Sequence, residues 1–267
     1  MTPGPAVHRA PHPHLRAVLP HGYSGWLLTA NRAGSFVLPA TPSVTLVLKL
    51  ADSAYRPPEF VNGMRASYAS IDGGCSPEYL QVSLSPPGAH AVFGLPMDEL
   101  TGQLVDLRDL IGESGRRLGD RLRATPTWPQ RFTVLDRFFL RRIEEAPPPA
   151  AEVLLAWRRL ADSGGRIPIR EISAEVGWSH KHLITKFTRV VGLPPKRAAR
   201  LIRFERLLRA VDRGRGTGWA ELAADFGYAD QAHLTREFTE FAGTSPGAYV
   251  AARAGEFPSR PKAVVRP

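Results

Sequence analysis

Two short segments near the C-terminal end carry side chains suited to reading the edges of bases. Lys181, Ile184 and Thr185 fall in the first, and Gln231, Ala232, Thr235 and Arg236 in the second. Lysine and arginine donate to guanine, glutamine pairs with adenine, and the methyls of threonine and alanine touch that of thymine. At 100° per residue, Lys181, Thr185 and Thr188 share one side of a helix, with Ile184 and Arg189 flanking it. The second segment presents Ala232, Thr235, Arg236 and Thr239 on the matching side, with Gln231 beside them. His180, Thr188, Arg189, Lys196, Arg197 and Arg200 surround these residues as candidate phosphate contacts. Either segment alone is equally an ordinary amphipathic helix with a polar outer face.

An internal repeat decides between these readings. Glu171-Ile172-Ser173-Ala174-Glu175-Val176-Gly177-Trp178 recurs as Glu221-Leu222-Ala223-Ala224-Asp225-Phe226-Gly227-Tyr228. Each copy continues into a second matching stretch. His182-Leu183, Phe187-Thr188, Gly192 and Pro195 have counterparts in His233-Leu234, Phe238-Thr239, Gly243 and Pro246. Ile169, Ile172 and Val176, at i, i+3 and i+7, predict the buried stripe of a short helix. Gly177 and Gly227 suit the left-handed turn that follows it. Ser179 and Asp230 are strong N-caps for the next helix, which turns Leu183, Phe187 and Val190 inward. Each copy is therefore expected to be a helix-turn-helix.

The elements that position these residues follow from the same patterns. Residues 194–211 read as a helix joining the copies, with Ala198, Leu201, Ile202, Phe204, Leu207 and Leu208 on its apolar side. Its length, about 25 Å, is comparable to one turn of DNA, roughly 34 Å. Some arginines of this helix should meet phosphates, and others should pair with acids such as Glu205. Upstream, Pro147-Pro148-Pro149 reads as a short stiff linker. Strands are expected at residues 23–29, 35–38, 44–50 and 78–84. Two helices should follow, one over 110–123 and one opening on a capping box at Thr127-Trp128-Pro129-Gln130. The expected fold is α+β: a β-rich N-terminal domain with two helices (residues 1–146), then an all-α bipartite double helix-turn-helix domain (147–250). Residues 251–267 read as a disordered tail.

The net charge of +10 is unevenly placed. Residues 1–146 hold 15 Lys and Arg against 13 Asp and Glu, and residues 147–267 hold 20 against 12. A basic half beside a near-neutral half suggests that one part meets a polyanion. Within the basic half, residues 166–217 carry +9 and residues 218–267 carry −1. Phosphate affinity is thus expected mainly from the first copy and the joining helix. No apolar run approaches the ~20 residues of a membrane span, and Met1–Ala10 lack a signal core, so a cytoplasmic protein is expected. The single cysteine, Cys75, reads as a free thiol. Phosphate-binding glycine loops, HExxH, zinc-ligand spacings and a serine elbow are all missing, so neither catalysis nor a cofactor is expected.

The copies resemble the DNA-binding domain of the AraC/XylS family of bacterial regulators, over about residues 150–249. The most specific stretch is Gly227-Tyr228-Ala229-Asp230-Gln231-Ala232-His233-Leu234-Thr235-Arg236-Glu237-Phe238, closing with Gly243, Ser245, Pro246 and Tyr249. The resemblance implies seven helices and one recognition helix in each of two successive major-groove segments. It assigns base reading to Lys181, Ile184 and Thr185, and to Gln231, Ala232, Thr235 and Arg236. It further implies an N-terminal effector-binding or dimerisation domain, often a cupin-like barrel, promoter DNA and RNA polymerase as partners, a small-molecule effector, a homodimer and activator function.

His8, His12, His14 and His21 suggest a metal site, but a Pro-rich segment such as Pro11-His12-Pro13-His14 reads as disordered. Tyr23, Trp26, Phe36, Phe60, Tyr68 and Phe93 either line an effector pocket or form core, and core is the expectation. An oxygenase-like barrel fused to a DNA reader, and a non-specific architectural binder, are the competing functions.

Overall fold

The computed structural model describes residues 7–27, 35–51, 57–72, 78–214 and 218–255. Cys75 and residues 256–267 of the expected tail lie outside them. The N-terminal strands are β1 (Val7–Arg9), β2 (Tyr23–Leu27), β3 (Ser35–Leu38), β4 (Val44–Lys49), β5 (Glu59–Asn62), β6 (Ala69–Asp72), β7 (Glu78–Leu84) and β8 (Leu104–Asp106). Six form an antiparallel sheet in the order β1-β2-β7-β4-β5-β8, and β3 pairs with β6 separately. All four expected strands are present. β1, β5, β6 and β8 span only three or four residues each, too short for a clear period-two signal.

Alternation along β4 and β7 sends Leu46, Leu48, Leu80, Val82 and Leu84 into the core. Helix α5 (Trp128–Glu145) lies across the sheet. Tyr23 of β2 stacks on Phe132 and Phe139 of this helix at 5.7 and 6.4 Å between centroids. Gly25 lets the helix approach, because a Cβ there would sit 2.3 Å from the Trp128 ring. Tyr23, Phe60 and Phe93 are core residues, as expected. Trp26 is only half-buried, stacked on Tyr79, and Tyr68 is exposed.

Several local expectations are corrected. No helix is expected before residue 110, yet prolines 86 and 87 open α1 (Pro86–Phe93), where Ser85 Oγ accepts from the Gly88 amide at 3.3 Å. Proline is tolerated in a first turn because its missing N–H would be unpaired there anyway. A short α2 (Met97–Leu100) follows. The single helix expected over 110–123 is two, α3 (Leu107–Ile111) and α4 (Glu113–Ala124), broken at Gly112 with φ 60°. The capping box of α5 does not close on the backbone. Thr127 Oγ1 instead donates to Gln130 Oε1 at 2.9 Å.

The histidine-rich segment is ordered. It forms β1 and a 3-10 turn at Pro13–Leu15, anchored by the fully buried Leu15 and Leu19. The His12 amide donates to Asp136 Oδ1 at 3.0 Å. Among the described residues, no group of three or more His, Cys, Asp or Glu is placed to hold a metal ion. No described helix is long and apolar enough to cross a membrane.

After the proline stretch the described residues form seven helices: α6 (Ala151–Asp162), α7 (Ile169–Glu175), α8 (His180–Val191), α9 (Pro195–Asp212), α10 (Trp219–Asp225), α11 (Gln231–Ala242) and α12 (Pro246–Gly255). Their core runs through Leu183, Phe187, Leu201, Phe204, Leu207, Leu234, Phe238 and Phe241, all fully buried. The chain thus has the α+β class expected, a β-rich region followed by helices.

Candidate nucleic-acid interface

In the first helix-turn-helix, α7 leads through Gly177, at φ 69°, into α8. Ile172 is buried, whereas Ile169 and Val176 are half-buried and cover the edge of the core rather than its centre. Ser179 Oγ accepts from the His182 amide at 3.2 Å, capping α8 as expected. In the second, α10 leads through Gly227, at φ 76°, into α11, and Asp230 Oδ1 accepts from the His233 amide at 2.6 Å. The two turns share one further device. The Trp178 ring meets His182 edge-on at 4.6 Å, and Tyr228 meets His233 edge-on at 5.3 Å. The repeated histidines therefore brace the turn from within the first helical turn.

Lys181 and Thr185 of α8, and Gln231, Ala232 and Arg236 of α11, are exposed. Ile184 and Thr235 are half-buried beside them. The Thr185 hydroxyl donates back to the Lys181 carbonyl at 3.1 Å, which leaves its oxygen lone pairs able to accept. The side chains of Lys181, Arg189, Lys196 and Arg236 bind no other described residue, so their charges face solvent.

Between the two units lies a groove of about 840 Å³. His180 and Ile184 line it from α8, Lys196, Arg200 and Arg203 from α9, and His233 and Glu237 from α11. Its charged lining is Lys196, Arg200 and Arg203 against Glu237, net positive even though Arg200 and Arg203 are paired with that acid.

Three of the six candidate phosphate contacts are placed otherwise than expected. The Thr188 hydroxyl is buried without a hydrogen-bond partner, because the helix rolls that side toward the core. Arg200 is committed within the protein: Nε reaches Glu237 at 2.7 Å and Nη2 reaches Glu240 at 2.5 Å. Arg197 is exposed but directs Nη2 to the Ala66 carbonyl at 3.4 Å. His180, Arg189 and Lys196 are exposed. The pairing expected at Glu205 is present, with Arg209 at 3.2 Å.

The residue that sequence reading missed is Glu237. Its side chain is 1% exposed, with Arg203 Nη2 at 3.0 Å as well as Arg200. The signal available was its place in the repeat, where an acid replaces Lys186. Burial first, and then the Glu237 charge, push the Tyr228 phenol above its usual range.

The β-rich part touches the ends of both recognition helices. Thr101 Oγ1 donates to the Gly192 carbonyl at 3.0 Å, at the C-cap of α8. The Ala40 amide donates to the Phe241 carbonyl at 2.8 Å, near the end of α11. Tyr68 lies over Gly243, so close that a Cβ there would meet its ring at 2.7 Å.

Two N-capped helices after glycine turns, flanking one cationic rod, define a bipartite DNA-binding helix-turn-helix fold. Residues 172–252 match the family described as a helix-turn-helix domain, and this segment is a helix-turn-helix domain. No curated protein matches the sequence. Among solved structures, the chain is similar to an apo variant of ToxT from Vibrio cholerae, at 12% identity over 91% of this chain and 99% of that one, with a TM-score of 0.47. It is also similar to wild-type ToxT from the same organism bound to an unsaturated fatty acid, at 11% identity over 82% and 91% of the chains, with a TM-score of 0.44.

Proposed function

We propose that the protein is a sequence-specific transcription factor that regulates promoters. Residues 147–250 bind double-stranded DNA, placing α8 and α11 in successive segments of the major groove. Lys181, Ile184 and Thr185 read bases in one segment, and Gln231, Ala232, Thr235 and Arg236 in the other. His180, Arg189 and Lys196 meet phosphates, which fix the register without specifying sequence. Residues 1–146 respond to a small-molecule effector or pair two chains, and so change occupancy or contact with RNA polymerase.

The observation that carries this reading is the shared exposure of Lys181, Thr185, Gln231, Ala232 and Arg236 on two capped helices joined by α9. The direct contacts from Thr101 and Ala40 to the ends of these helices support a regulatory role for the β-rich part.

The test is selection of genomic fragments by the purified protein, in parallel with a Lys181→Ala/Arg236→Ala double variant, at fixed salt of about 150 mM because affinity depends steeply on salt. A few promoter fragments should be enriched by the parent and lost by the variant. Equal recovery of all fragments, or identical selection by both proteins, would instead favour an architectural binder.

A further inference from the structure

The two helix-turn-helix units are not held to α9 in the same way. In the repeat, Glu237 and Glu240 of α11 correspond to Lys186 and Arg189 of α8. Lys186 and Arg189 are exposed and bind no other described residue. Glu237 is buried against α9, gripped by Arg200 Nε at 2.7 Å and Arg203 Nη2 at 3.0 Å. Arg200 also reaches Glu240 at 2.5 Å and lies over the Phe241 ring, 5.1 Å from its centroid. Arg203 donates to the Gly227 carbonyl at 3.3 Å and lies over Tyr228 at 4.6 Å. One turn of α9 thus holds the second unit at its turn, at the middle of its recognition helix and near that helix's end. Phe204, next along α9, packs on Phe238 and Phe241 at 5.5 and 5.2 Å.

From this we infer that Glu237 is a positioning residue that fixes the angle and separation of the two recognition helices, and thereby the spacing between the two half-sites on DNA. The inference rests on the DNA-binding reading above. Apolar packing alone lets a helix roll and slide by small amounts at little cost. A buried carboxylate between two guanidiniums does not, because departure from one geometry leaves a charge unpaired in a desolvated site. The geometry also accounts for the charge asymmetry of the repeat. Two acids of the second unit, Glu237 and Glu240, face α9, whereas their counterparts Lys186 and Arg189 in the first unit are exposed and free to meet phosphate. Tyr228 and His233 are further ionisable neighbours of Glu237; His233 Nε2 lies 3.9 Å from it, and Nδ1 accepts from the Ala229 amide at 3.3 Å.

The experiment is a distance measurement between nitroxide labels at Lys186 and Thr239 of the full chain, in a Cys75→Ser background, for the parent, Glu237→Gln and Glu240→Gln. The parent should give one narrow distribution, Glu237→Gln a clearly broader one, and Glu240→Gln a smaller broadening. A Glu237→Gln distribution as narrow as the parent's would overturn the proposal. If Glu237→Gln fails to fold, Glu240→Gln decides, since that carboxylate is 43% exposed and dispensable for the core. The second readout is selection from a random DNA library. The parent should return two half-motifs at one spacing. Glu237→Gln should keep the half read by α8 while discrimination against a spacing changed by one base pair falls by about tenfold or more. Broadened distances with an unchanged, fixed spacing would also overturn it. Should the parent select no motif, the DNA-reading assignment fails, and the label distances still judge the clamp by themselves.

Discussion

Thr101 donates its hydroxyl to the carbonyl of Gly192, 91 residues further along the chain, at 3.0 Å. The bond ties the β-rich part to the C-cap of the first recognition helix, where Gly192 takes φ 94°. A Cβ at Gly192 would meet Thr101 Oγ1 at 2.5 Å and the Met97 carbonyl oxygen at 2.8 Å. Gly177 is also left-handed, at φ 69°, but a Cβ there meets nothing within 4 Å. Gly177→Ala should therefore cost only the backbone term, about 1–2 kcal/mol. Gly192→Ala should cost that plus the displacement of α2, and melt clearly lower. Thermal unfolding of the two variants side by side measures the difference, and equal melting temperatures would show that the Thr101 contact does not constrain the cap.

The salt dependence of DNA binding separates free cations from committed ones. Each phosphate contact contributes about 0.9 to the slope of log K against log salt concentration. Lys196→Ala should lower the slope by about that amount. Arg200→Gln should leave the slope unchanged, because its guanidinium is already matched by Glu237 and Glu240. Binding isotherms at four or five salt concentrations suffice, and a slope that falls for Arg200→Gln returns that residue to the phosphate contacts.

Thr188 gives a stability prediction of opposite sign to most core changes. Its hydroxyl is buried with no hydrogen-bond partner. Thr188→Val keeps the shape and removes the desolvated polar group, so it should stabilise the fold by about 1 kcal/mol. DNA affinity should stay the same. Denaturant unfolding and one binding curve check both parts, and a loss of affinity would mean that the hydroxyl turns outward on DNA.

Tyr23 sets an alkaline limit. Burial first, then its 2.8 Å bond to Asp136, raise the pKa of its phenol well above the usual tyrosine value. The folded state holds this proton more tightly than the unfolded state does. The stability it contributes is complete below pH ~10 and is lost as the pH rises beyond that. Tyr23→Phe should flatten the fall in stability above pH 10. Ultraviolet titration of the parent should show the Tyr23 phenol ionising only with unfolding. Free ionisation in the native state would mean that the contact with Asp136 opens.

The sequence by itself determined the helix-turn-helix units. Their signals are local: a capping serine or aspartate, a glycine for the left-handed turn, and apolar residues at helical spacing lie within about 25 residues and occur twice. Strands β2, β4 and β7 were legible for the same reason, since alternation over five to seven residues is a local property. Tertiary structure decided the rest. Prolines 86 and 87 open a helix that Ser85 caps, which is local, but the core that covers Ala89 and Val92 is not. The fates of Arg197, Arg200 and Thr188 depended on what lies across from them, which a helical wheel does not contain. Glu237 carries the same lesson. Its type marks a surface residue, and only the approach of Arg200 and Arg203 from another helix supplies the two charges that make its burial possible.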